Sequence, residues 1–71
     1  MRYAVVIEKA SENYSAYVPD LPGCVAVGDT LEEIEQMIRE AIEFHLEGMQ
    51  LRGESIPDSS SLCQYVEVSR C

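Results

Sequence analysis

Positive charge is scarce in this sequence. Its 71 residues hold five Lys and Arg against thirteen Asp and Glu, a formal net charge of −8 at pH 7. Affinity for nucleic acid comes mainly from Lys and Arg neutralising phosphates, so direct binding to a phosphate backbone is disfavoured. An anionic membrane surface is disfavoured for the same reason. Long apolar runs are missing too. Ala4-Val5-Val6-Ile7, near the start, is far too short for a signal-peptide core or a membrane span. Cysteine is sparse: Cys24, Cys63 and Cys71 form no CxxC, which argues against a zinc knuckle or a thioredoxin-type pair and for reduced thiols in a cytoplasm. Repeats, low-complexity tracts and linkers are also lacking, so residues 1–71 read as one small domain. What remains is an ordinary globular mixture, 46% hydrophobic and 25% charged. A domain this short buries only about 60% of its unfolded surface, and such thin cores are often supplemented by self-association.

Tyr3 to Lys9, rich in β-branched and aromatic residues, predicts a first strand; Ala10-Ser11-Glu12-Asn13 is a polar break of hairpin length, and Tyr14 to Val18 a second strand. Pro19-Asp20-Leu21-Pro22-Gly23 brackets a tight turn, followed by a short third strand, Cys24 to Val27, closed by Gly28. Thr30-Leu31-Glu32-Glu33 is a capping box, with negative charge on the positive end of the helix dipole. Leu31, Ile34, Ile38, Ala41, Ile42, His45 and Met49 then recur at three- and four-residue spacing, the buried stripe of a helix over residues 31–52 that stops at Gly53. On its polar side Glu35 stands four residues before Arg39, the favourable polarity for an ion pair. A turn-rich loop, Glu54 to Ser61, leads to a fourth expected strand, Leu62 to Val68.

The expected architecture is therefore α+β, a βββαβ domain. Two hairpins make strands one to three an antiparallel meander, and a right-handed crossover through the helix sets strand four parallel to strand one. The result is a four-stranded mixed sheet, order 3-2-1-4, with one helix on one face. Such a sheet leaves apolar side chains uncovered: Tyr3, Val5 and Ile7 point one way, Ala4 and Val6 the other. The helix also overshoots, since 22 residues span roughly 33 Å against about 23 Å for a seven-residue strand. Phe44, Leu46 and Leu51 flank the stripe near the overhanging end, where the sheet cannot bury them all. These features predict a chain built to be covered by another.

Several blocks together carry a family resemblance. Val18-Pro19-Asp20-Leu21-Pro22-Gly23-Cys24-Val25, then Gly28-Asp29-Thr30-Leu31-Glu32-Glu33, the Phe44-His45-Leu46-Glu47-Gly48 stretch and Gly53-Glu54-Ser55-Ile56-Pro57 resemble the HicB antitoxins over nearly the whole sequence. The resemblance implies a degenerate, pared-down RNase H-like fold. It also implies a role: binding a small basic ribonuclease toxin, HicA, and occluding its catalytic histidine so that messenger RNA survives. Family members commonly carry a second, DNA-binding segment; here the sequence stops after the expected fourth strand, so no separate DNA-binding domain is expected.

The chemistry-bearing residues are weighed accordingly. Pro19, Asp20, Leu21, Pro22 and Gly23 suffice for a structural turn, yet a rigid turn could also present Asp20 and Leu21 to a partner. His45 has no companions at metal-ligand spacing and reads as a half-buried packing residue. Two-metal phosphodiester cleavage needs several converging acids, and strand one supplies only Glu8 near its end. No catalytic residue, metal or cofactor is therefore expected, and the chain reads as a non-enzyme. The candidate partner-binding residues are Pro19, Asp20, Leu21, Pro22, Gly23 and Asp29, with Glu40, Glu43 and Glu47 on an acidic helix face that would speed encounter with a basic protein. The expected partners are a HicA-like toxin and further copies of the chain, as a homodimer or higher homo-oligomer, without nucleic acid or membrane. The competing reading is a stand-alone, self-associating scaffold or regulatory module without a toxin.

Overall fold

The computed structural model describes residues 2–69. Its elements are β1 (Val6–Lys9), β2 (Tyr14–Tyr17), β3 (Val25–Gly28) and α1 (Leu31–Leu51). The three strands form an antiparallel sheet in the order β1-β2-β3, which bears out the expected meander with shorter strands. The four-residue connection after β1 closes through Ala10 N–H donating to the Asn13 carbonyl at 2.8 Å. The register sets Ile7, Ala16 and Ala26 in one row on the inner face, and Val6, Tyr17 and Val25 in a row on the outer face. Small residues at Ala16 and Ala26 let α1 lie close over the inner face.

The helix packs over β3 and β2 rather than β1. Its Ile34 and Ile38 bury against Ala16, Val18, Leu21 and Cys24, and these six residues are the core, flanked by half-buried Tyr3, Val5, Tyr14, Ala26, Ala41, Ile42 and Leu46. At the start of α1, the Thr30 hydroxyl accepts from the Glu33 N–H at 3.1 Å; the reciprocal half of the expected capping box, the Thr30 amide donating to the Glu33 carboxylate, is not among the hydrogen bonds of the described residues. At the far end, Glu54 N–H donates to the Met49 carbonyl (2.9 Å) and Gly53 N–H to that of Gln50 (3.1 Å). With Gly53 at φ +74, this is a complete Schellman stop, which only a residue tolerant of left-handed backbone completes without strain. Gly28 has a different reason to be glycine. A Cβ there would stand 3.0 Å from the Ile34 backbone nitrogen, where β3 runs close against α1.

Three expectations need correction. The fourth strand is absent: the chain from Glu54 to Ser69 is irregular, and the sheet has three strands. The position of α1 supplies the physical reason. Because the helix lies over β3 and β2, a strand added beside β1 would find little of a second layer to bury against, and backbone pairing alone is marginal in water. The segment stands out instead; the radius of gyration is 14.2 Å, against about 11 Å for a compact domain of this length. Leu31, placed in the buried stripe, is half exposed because it sits at the helix start beyond the core. Finally, Glu35 and Arg39 form no ion pair; among the described residues that interaction joins Arg52 to Glu54 across the helix stop. The overhang is as expected: Phe44 and Leu51 are 79% and 81% exposed. Cys71 lies outside the described residues.

Candidate functional site

The Pro19 to Gly23 segment is two consecutive β-turns. Leu21 N–H donates to the Val18 carbonyl at 3.0 Å, closing a turn with Pro19 at its second position. Cys24 N–H donates to the Leu21 carbonyl at 3.0 Å, closing a second turn whose corners are Pro22 and Gly23. Gly23 has φ +85, as the third position of a type II turn requires, and Pro22 pre-sets the second position. Two turns back to back drive the residue they share inward. Leu21 is 1% exposed and packs in the core, so its side chain does not face outward, contrary to the expectation that the turn presents it. Cys24, just beyond, is buried as well, and desolvation raises its thiol above the ordinary 9.0, favouring the inert neutral form.

Asp20 is also engaged. Its carboxylate accepts four hydrogen bonds from a stretch forty residues away: the amides of Ser60 and Ser61 at 3.0 and 3.1 Å, and both their hydroxyls at 3.0 Å. These bonds, with the Ser61 amide foremost, hold the Asp20 pKa below its ordinary 3.8, against a smaller opposing effect of desolvation. The arrangement works as a clamp that ties the chain after α1 to the turn before β3. The Tyr3 hydroxyl donates to the Pro57 carbonyl, and the Cys63 thiol lies 3.7 Å from the Val5 carbonyl, in the same region. Sequence reasoning missed Ser60 and Ser61, because no spacing rule relates a serine run in a loop to a carboxylate so far away.

The remaining candidates are exposed. Pro19, Pro22 and Gly23 surround the turn, Glu40, Glu43 and Glu47 lie on α1, and Asp29 precedes the helix cap. The turn joins the end of β2 to the start of β3 while Asp29 follows the end of β3, so the two lie at opposite ends of the sheet. The nine candidates therefore do not form one patch. Along α1, Glu40 is held by the Gln36 amide at 2.7 Å. His45 is half-buried, and among the described residues no three His, Cys, Asp or Glu side chains gather as a metal site.

Two apolar surfaces stay open. On the outer face of the sheet, Val25 and Val27 are more than half exposed beside Tyr17. On the inner side, where α1 leaves β1 uncovered, a groove of about 460 Å³ runs between Tyr3, Val5 and Ile7 and the helix residues Ile38, Ile42 and Leu46. Glu35, Arg39 and Glu43 form its charged rim. No helix among the described residues is long and apolar enough to cross a membrane.

Comparison with known proteins gives these surfaces a context. A family model described as the HicB_like antitoxin of bacterial toxin-antitoxin systems matches residues 3–70. A 14.9 kDa protein of the rep-hol intergenic region of Haemophilus phage HP1 is 46% identical over 66 residues; the match takes in 93% of this chain but 50% of the phage protein, so the chain spans about half that relative's length. A UPF0150 protein of Archaeoglobus fulgidus is 44% identical over 48 residues, 66% of this chain and 70% of its own. Among solved structures, a chain of a HicA3 and HicB3 toxin-antitoxin complex superposes with a TM-score of 0.72 at 30% identity, covering 83% of this chain and 70% of that one.

Proposed function

Since the chain belongs to the HicB-like antitoxins of bacterial toxin-antitoxin systems, we propose that it binds a small basic HicA-like ribonuclease and neutralises it by covering the active site. The observation that carries this reading is the pairing of an exposed acidic helix face with apolar sheet surface that none of the described residues covers. Glu40, Glu43 and Glu47 steer a basic partner into encounter, and apolar contact then holds it. Asp29 and the exposed rim of the turn, Pro19, Pro22 and Gly23, are the further contacts; Asp20 contributes by fixing the turn rather than by touching the partner. The chain acts as a binding module and not as an enzyme, without cofactor or direct nucleic-acid contact, in the cytoplasm where messenger RNA is cut. A place for the toxin is supported by the structural neighbour, itself a toxin-antitoxin complex.

The test is RNA cleavage by a purified HicA-like toxin from the same genome, with the chain added at increasing ratio. Cleavage should stop near equimolar antitoxin. The Glu40→Lys, Glu43→Lys, Glu47→Lys triple variant should associate at least tenfold more slowly at low salt, since steering raises association rates from about 10⁵–10⁶ toward 10⁸ M⁻¹s⁻¹. Undiminished cleavage with excess folded chain would overturn the proposal in favour of a scaffold without a toxin.

A further inference from the structure

The flank of α1 that looks away from the groove carries a second apolar stripe. Met37, Ala41, Phe44, Gly48 and Leu51 recur at alternating spacings of four and three, the repeat of helices that pair with one another. With 3.6 residues per turn they fall on the side of the helix opposite Glu35, Arg39 and Glu43, which rim the groove. The large members stand out: Met37 is exposed, and Phe44 and Leu51 are almost wholly uncovered. The two between them are small, and both are half-buried.

We propose that this stripe pairs with that of a second copy of the chain, the two helices running antiparallel about a two-fold axis level with Leu46. The stripe is complementary to itself in that register. Phe44 and Gly48 lie two residues either side of Leu46, and Ala41 and Leu51 five either side. Each copy therefore sets its Phe44 opposite the other's Gly48 and its Leu51 opposite the other's Ala41, as an isologous contact requires. Large side chains entering the space of small ones let helices approach to about 8–10 Å. Parallel pairing would instead set Phe44 on Phe44 and leave a gap at Gly48. Charge fits the same register. A Cβ at Gly48 would stand 3.2 Å from Arg52 Nη1, so the exposed guanidinium lies back over the glycine. There it meets the incoming Phe44 ring, and a cation over an aromatic face is attracted to it. Glu40 and Arg52 lie six residues either side of Leu46, so the other copy's Glu40 stands level with that guanidinium. Glu47, beside the axis, faces its own copy and opposes the pairing. Each ring buries only about 150–250 Å², which keeps the pair below the roughly 1,200 Å² of a stable interface. The dimer is accordingly weak and reversible.

The experiment is sedimentation of the full chain under reducing conditions from 1 to 500 µM, with fluorine NMR of the chain labelled with fluorophenylalanine. Phe44 is the one phenylalanine, so the label gives a single signal inside the stripe. No toxin is present, so the outcome is independent of the antitoxin reading. A dimer that grows over this range is expected, with a fluorine signal that moves in step. Gly48→Leu adds apolar surface but fills the hole, and should weaken the dimer at least tenfold. Phe44→Ala should weaken it as much. Neither should lower helical circular dichroism, since both replacements favour helix. A chain that stays monomeric at 500 µM would overturn the proposal. So would a dimer whose fluorine signal stays put, or one that Gly48→Leu tightens or leaves unchanged.

Discussion

Replacing Leu21 by alanine separates the two roles a rigid turn could have. If the turn exists to present Leu21, Leu21→Ala should abolish binding and leave the fold alone. The structure says otherwise, because Leu21 is 1% exposed and packed with Val18, Cys24, Ile34 and Ile38. Truncating a leucine at such a site costs about 2–5 kcal/mol in lost transfer energy and residual cavity. A domain of this length has only about 4–11 kcal/mol of stability to lose. For a domain of this size each kcal/mol corresponds to about 4–8 °C in Tm, so even the smallest cost lowers the melting point by roughly 8–16 °C. The assay is thermal circular dichroism at 222 nm, where α1 supplies most of the signal, at one fixed concentration because self-association would otherwise shift Tm. Pro22→Ala, at an exposed corner of the same turn, is the control and should cost about 1 kcal/mol or less. A Leu21→Ala protein melting within about 3 °C of the parent would refute the reasoning and restore Leu21 as a contact residue.

Two further outcomes follow from the same structure. Gly28→Ala should lower stability by about 1–3 kcal/mol, measured by urea unfolding, because the new methyl meets helix backbone at Ile34 and not a side chain that can swing away; an unchanged midpoint would mean that α1 shifts freely on the sheet. The Asp20 clamp should be intact above pH 3.8, the ordinary aspartate value, and loosen as pH falls through its lowered folded-state value, since protonation removes the charge that the four hydrogen bonds stabilise; the Ser60 and Ser61 amide NMR signals should titrate with a midpoint below 3.8, and a midpoint above it, or the same titration in Asp20→Asn, would refute the assignment.

Much of the fold was legible because its signals are local. Thr30 and Gly53 delimit the helix through caps that involve residues three to five apart. The hairpins follow from alternation and polar breaks, and a tight turn over Pro19 to Gly23 from its prolines and glycine; that it is two successive turns was not legible. What was not legible depends on where elements come to rest. The three apolar strands fit a four-stranded sheet as well as a three-stranded one; the difference lies in α1 settling over β3 and β2, which no periodicity encodes. Leu62–Val68 has strand composition, but composition does not supply a second layer. The candidate site was legible only in part. The acidic helix residues are exposed as their spacing requires, yet whether Leu21 points inward depends on two successive turns, and the role of Asp20 depends on serines forty residues away.

The open surfaces of the chain are arranged so that one can be used without consuming the other. The groove and the β1 edge lie on the inner side of the sheet, beside α1, whereas Tyr17, Val25 and Val27 look out from the opposite face. Filling the groove would therefore leave the outer face free. Along α1 the division is finer: Glu43 belongs to the groove rim, while Glu40 and Glu47 do not line it. Glu40 and Glu47 thus remain exposed even when the groove is filled, and Glu43 is the acidic residue of the three that filling it would touch. Apolar surface thus stays open on both sides of one sheet, while the six-residue cluster holds the layer between them.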